Sequence, residues 1–101
     1  METVDACIDA CKKCKHLFRM NMTHPCFISC NDCLRVCEFV YKNKLTNSTL
    51  EKLSLQLCIQ ACKKCILACN KHAVEYIQCA NCVVACQECI SWCSNEVTTM
   101  V

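Results

Sequence analysis

The chain contains no glycine and a single proline, Pro25. These two residues are the usual builders of turns, so a loop-rich fold is excluded and long regular elements are expected. Neither sign of charge prevails: the net charge is +2, and the two signs are interspersed. That leaves no electrostatic footprint for nucleic acid or an anionic membrane surface. No apolar run approaches the ~18 residues of a bilayer-crossing helix. The opening Met1-Glu2-Thr3-Val4-Asp5 is acidic and lacks the basic start and apolar run of an export signal. A cytosolic location, where thiols stay reduced, is therefore expected. On that expectation, Asn21-Met22-Thr23 and Asn47-Ser48-Thr49 match the glycosylation pattern by chance. No paired base, oxyanion site or nucleotide loop can be traced, so no enzyme is expected.

What the chain has in place of turn residues is cysteine, sixteen of 101. The cysteines fall in four blocks: Cys7, Cys11, Cys14; Cys26, Cys30, Cys33, Cys37; Cys58, Cys62, Cys65, Cys69; and Cys79, Cys82, Cys86, Cys89, Cys93. Intervals of three and four are the helical period, so each block lays its sulfurs along one stripe of one helix. Such density in a short chain usually marks a secreted disulfide scaffold. Here the missing turn residues and the confinement of the cysteines to helical stripes argue against it.

Four helices are predicted, at about 3–21, 25–43, 49–72 and 75–97, from the stripe period. Thr3 is the expected cap of the first, and Pro25 suits the first turn of the second. Ser48 and Glu51 have the spacing of a capping box for the third. The links are short, which makes consecutive helices antiparallel neighbours. The expected fold is all-α, an up-down-up-down four-helix bundle with a cysteine-lined core, in one domain over 1–101. An internal repeat supports this: Cys7-Ile8-Asp9-Ala10-Cys11-Lys12-Lys13-Cys14 is echoed by Cys58-Ile59-Gln60-Ala61-Cys62-Lys63-Lys64-Cys65.

A core of small thiols fills space poorly unless something occupies it, and metal is the candidate. On a helix, i and i+4 side chains leave Cβ atoms ~5–6 Å apart. A linear S–metal–S unit with bonds of about 2.3 Å needs sulfurs roughly 4.5 Å apart. Seven pairs have that spacing: 7/11, 26/30, 33/37, 58/62, 65/69, 82/86 and 89/93. Cys14 and Cys79 lack such a partner and are expected to share an ion across the first and fourth helices. Thiolate softness favours Cu(I), and one monovalent copper per thiolate gives a neutral core. Tetrathiolate Zn²⁺ would leave about two buried negative charges per site. All sixteen cysteines are therefore candidate metal ligands, with several Cu(I) ions per chain as their cargo.

The four cysteine helices, Lys71-His72 following Cys69, and the cysteine-rich last helix resemble the bacterial copper storage proteins. The resemblance spans essentially the whole chain. It implies that a four-helix bundle stores or sequesters many Cu(I) ions, in a cytosolic member without export signal, and it suggests a homotetramer. Phe18 departs from the pattern, holding a stripe position where a further thiol is expected.

An up-down bundle gathers the first and third links at one end. Met22, His24 and His72 are expected to converge there as a metal entrance, since thioether and imidazole suit Cu(I) transfer. Met20 falls off the stripe and His16 points outward. At the other end Val4, Val36, Val40, Tyr41, Leu50, Leu55, Leu57 and Val97 are expected to form an apolar plug. Phe39, Ile90 and Trp92 flank the stripes as candidate helix or subunit contacts. Two competing functions remain: a metallothionein-like Zn or Cd detoxification protein, and a thiol redox protein, the latter lacking the strand-then-helix context of that chemistry.

Overall fold

The stripes are realised as four α-helices: α1 Glu2–Leu17, α2 Pro25–Leu45, α3 Glu51–Asn70 and α4 Ile77–Thr99. The structure, a computed structural model, describes residues 1–100. The last position of the expected 1–101 domain lies outside the described residues. No strand occurs among those described. The molecule measures 42 × 20 × 19 Å, a column rather than a ball. Each helix packs against its two neighbours in the cyclic order α1, α2, α3, α4.

The sulfurs give the directions of the helices. From α1 to α4 the close pairs are Cys7 with Cys86, Cys11 with Cys82, and Cys14 with Cys79. From α2 to α3 they are Cys30 with Cys65, Cys33 with Cys62, and Cys37 with Cys58. In both series the numbers climb on one helix while falling on the other, so these neighbours run in opposite directions.

Helix ends depart from the sequence expectation: α2 runs on to Leu45 rather than 43, α4 spans Ile77–Thr99 rather than 75–97, and α1 and α3 differ for local reasons. α1 stops at Leu17 instead of 21, because Phe18 leaves the helix to stack on His24, ring centroids 4.0 Å apart. Its cap position is Met1, not Thr3, and no side chain caps it. The capping box at α3 does not form. Ser48 Oγ accepts from the Leu50 N–H at 3.1 Å, while Glu51 turns to Lys44 at 3.1 Å. Lys44 also reaches Glu96 at 2.9 Å, so one ammonium ties the ends of α2, α3 and α4 together. With no glycine available, Asn47 takes the positive φ of 53° in the α2–α3 link. Asparagine tolerates that region better than most residues.

The plug is smaller than expected. Val4, Val40 and Leu55 are fully buried, and Val36, Tyr41 and Val97 are half-buried. Leu50 and Leu57 are 47% and 45% exposed and do not belong to it. Leu50 sits before the first turn of α3, and Leu57 lies one position off the stripe, in a surface groove with Val36 and Ala61. Phe39, Ile90 and Trp92 are half-buried, with the Lys44 ammonium 5.5 Å from the Trp92 ring centre.

Candidate metal centre

Every one of the sixteen cysteines is fully buried and none is in a disulfide. Their period explains the burial: four inward stripes on four helices leave no other lining for the core. Leu55, Val4 and Val40 are buried with the thiols, and Leu34, Val83 and Ala85 are buried at the edge of the core; sulfur supplies the remaining buried apolar side chains.

The sulfurs form a continuous network along the axis. Near the α1 C-terminus, Cys14 lies 3.7 Å from Cys69 and 3.8 Å from Cys79. Deeper, Cys30 approaches Cys69 at 3.7 Å and Cys65 at 3.6 Å, and Cys65 approaches Cys82 at 3.5 Å. Cys33 and Cys62 follow at 3.6 Å. Cys58 then meets Cys37 and Cys89, each at 3.7 Å. These separations are non-bonded: a disulfide would hold its sulfurs ~2.05 Å apart.

Within this network, groups of four sulfurs lie within 4.8 Å of one another, among them Cys7/Cys33/Cys37/Cys62, Cys7/Cys11/Cys33/Cys86 and Cys11/Cys65/Cys82/Cys86. Others are Cys14/Cys30/Cys69/Cys82 and Cys37/Cys58/Cys62/Cys89. The groups overlap, since Cys7, Cys33 and Cys62 each belong to two. Metals filling neighbouring groups would have to share sulfurs. The i, i+4 pairs 7/11, 33/37, 58/62 and 82/86 fall inside such groups, and Cys65 and Cys69 are 3.9 Å apart. These pairs are close enough for a two-coordinate ion. The shortest approaches, however, run between helices, a feature that spacing along one helix could not reveal.

Electrostatics inside the column are set by thiols alone. Among the described residues the only buried polar ones are Asn43 and Ser54, so none of the described lysines, arginines or histidines lies in the core to balance thiolates. Neighbouring thiols share protons instead. Hydrogen bonds from Cys37 and its neighbours hold Cys58 below the ordinary thiol range, and those from Cys11 and its neighbours do the same for Cys33. Cys37 is pushed up through its bond to Cys33. Burial itself raises Cys26 and Cys79. The Cys26 S–H donates to the Ala68 carbonyl at 3.4 Å.

At the end where α1 and α3 finish, four rings close the column. Phe18 stacks on His24 and meets Tyr76 edge-on at 5.9 Å. His24 and His72 have ring centres 5.0 Å apart. His24 also begins α2, because its Nδ1 accepts the Cys26 N–H at 3.0 Å. Burial, and then the neighbouring His72, lower the His24 pKa. The expected convergence holds for His24 and His72 but not for Met22. The helix that would have carried Met22 inward has already ended, leaving it 65% exposed. Met20 is 91% exposed and His16 is exposed, as their phases required. Sequence reasoning missed Tyr76 and the closing role of Phe18. The one available hint was an aromatic standing on a thiol stripe.

The sequence model of the family described as copper storage protein matches residues 1–99. The chain belongs to the copper storage protein family. That family is one of storage proteins rather than enzymes, and a core of clustered buried cysteines fits metal sequestration. One curated relative, the "uncharacterized cysteine-rich protein YhjQ" of Bacillus subtilis (strain 168), is 29% identical over 82 residues. The match covers 74% of this chain and 76% of that protein. No solved structure matches the chain. Among the described residues, no helix of this family member is long and apolar enough to cross a membrane.

Proposed function

We propose that the chain stores Cu(I) in the cytosol, as a single domain whose sixteen cysteines all serve as thiolate ligands. One observation carries the reading: overlapping four-sulfur groups lie in a core that, among the described residues, contains no cationic side chain. Overlap requires bridging thiolates, and the missing cations require the metal itself to neutralise them. Monovalent copper at one per thiolate meets both demands, because each ion replaces one proton and the column stays neutral. Soft thiolate ligation favours it as well.

Zinc or cadmium is the second reading. Tetrahedral bonds of about 2.3 Å place ligand sulfurs about 3.8 Å apart, close to the spacing between helices found here. A tetrathiolate site that shares none of its sulfurs would bury about two uncompensated charges, which is unfavourable in an apolar setting. A thiol redox role draws no support from sulfurs that are all fully buried.

His24 and His72 are the proposed point of entry, with Met22 on the outer loop as an earlier contact. Assembly into a homotetramer belongs to the same proposal and is checked by sedimentation of the reduced protein. The deciding experiment is anaerobic titration of reduced, metal-free protein against a competing chelator. About 16 Cu(I) per chain are expected from one ion per thiolate. Saturation at four metals, or displacement of Cu(I) by Zn²⁺, would overturn the reading.

A further inference from the structure

The charges around the closing rings are one-sided. Within the two helical turns nearest that end, and in the links joining them, stand Lys12, Lys13, Lys15, Arg19, Lys64 and Lys71. Glu75 is the only acidic residue in the same stretch. The next acids, Asp9 and Asp32, lie deeper along the column, and Asp9 is paired with Lys13 at 3.0 Å. Among the described residues the other five cations have no salt-bridge partner. At the opposite end both signs mix, with Glu2, Asp5, Glu51 and Glu96 set among Lys42, Lys44 and Lys52. The sequence is nearly neutral overall, so folding has sorted its charges, and the excess of positive charge surrounds the one end lined by imidazoles.

A positive collar repels a bare monovalent cation. It attracts an anion over about one Debye length, ~8 Å at physiological ionic strength, and charged clefts of this kind raise association rates by 10–10³. We infer that copper reaches this end as an anionic Cu(I) complex of small thiolates, not as the free ion. The inference rests on the Cu(I) storage reading and adds the form in which the cargo arrives.

The exchange balances without any redox change. A bis-thiolate complex Cu(SR)2⁻ meets a protein Cys–SH. The metal's bonds to both incoming ligands break and a bond to the cysteine sulfur forms. One departing ligand leaves as RSH with the cysteine proton, and the other leaves as RS⁻. The ion becomes part of the neutral sulfur column once a second cysteine bridges to it. The ligands that arrive with copper thus carry away the proton that the buried thiol must lose, and the collar sits where the departing anion emerges. A small complex suits this end better than an acidic protein surface, because every sulfur is fully buried behind the four rings.

The test is anaerobic stopped-flow loading of reduced, metal-free protein, followed by thiolate–copper absorbance, from two sources. One is the Cu(I) complex of mercaptoacetate, an anion, and the other is tetrakis(acetonitrile)copper(I), a cation. Raising salt from about 10 mM to about 500 mM should slow loading from the anion by roughly tenfold or more and speed loading from the cation. Combining Lys12→Glu, Lys15→Glu, Arg19→Glu and Lys71→Glu should reverse both salt trends while leaving final copper content unchanged. The matching Gln substitutions should abolish both trends, and they keep the test intact if the Glu variant misfolds. Equal salt responses for the two sources, or rates blind to the substitutions, would overturn the inference while leaving storage standing. Absence of thiolate–copper absorbance from either source at equilibrium would overturn the storage reading itself.

Discussion

Replacing Leu55 with alanine tests whether the column stands before any metal arrives. Apart from the thiols, the large side chains buried completely are Leu55, Val4 and Val40, and Leu55 is the bulkiest of the three. Cysteine in a core acts as a small hydrophobe, so the sulfur column contributes little dispersion per residue and the far end must supply a disproportionate share. Truncating a fully buried leucine costs about 2–5 kcal/mol, set against a total of about 5–15 kcal/mol for a domain of this kind. For a chain of about 100 residues, each kcal/mol moves Tm by roughly 4–8 °C, so a fall of about 8–40 °C is expected. Bound copper should hide most of it, because a ligand at 100 times its Kd adds about 2.7 kcal/mol per site and the column offers many sites. The assay is anaerobic thermal circular dichroism of Leu55→Ala and the parent, each metal-free and copper-loaded, with copper counted per chain. A metal-free Tm within about 2 °C of the parent, less than the shift for 1 kcal/mol, would refute the reasoning. A large loss of copper capacity would refute it too, by making Leu55 part of the site.

Phe18→Ala should speed copper uptake and release without changing the final load, since it removes the ring stacked on His24 and leaves every sulfur in place; unchanged rates in chelator-exchange kinetics would count against the ring cluster as a barrier. Substituting Met22, His24 and His72 together with Leu or Phe should slow both rates while capacity stays close to the parent value. Matching rates would place entry elsewhere, and a collapse in capacity would make these residues structural ligands. Lys44→Met should lower metal-free stability by about 0.2–1 kcal/mol, the range for a partly exposed ion pair. The hydrogen bond to Glu96, helped by Glu51, raises the Lys44 pKa. A raised folded pKa gives a contribution that is complete below the unfolded lysine value and lost as pH climbs through the folded one. The difference between variant and parent should therefore hold through neutral pH and fade only in strongly alkaline solution, as read from chemical denaturation across pH.

Most of the architecture was legible because one residue type wrote it. A three-and-four cysteine period defines a helical face, four such faces define a bundle, and the echo of residues 7–14 at 58–65 shows that its halves match. What the period could not show were contacts made by ends. Phe18 fits the α1 stripe perfectly as a pattern, yet it leaves the helix because a stacked partner awaits it across the link. Ser48 and Glu51 have the spacing of a capping box, but Lys44 offers Glu51 a charge and takes it. Leu57 looks like core by composition and falls outside by phase. The thiol pairs were readable within each helix, whereas the closest sulfur approaches depend on the register between helices. The collar of lysines was invisible in a near-zero net charge, because only folding decides which end each charge occupies.

The bond from the Cys26 N–H to His24 Nδ1 has a consequence for how firmly this end can grip anything. A neutral imidazole has one nitrogen with a free lone pair and one that carries the proton. While Nδ1 accepts from the backbone, the proton resides on Nε2, and the ring has no electron pair to offer outward. To coordinate an ion through Nε2, His24 must move that proton to Nδ1 and release the first turn of α2. Losing a helix cap costs about 0.5–2 kcal/mol, roughly a two- to thirtyfold reduction in the affinity such a contact could otherwise reach. The turn that is released carries Cys26. Touching an ion and loosening the peptide that holds the nearest thiol are thus the same event, and the ring is built to hand its guest inward instead of keeping it.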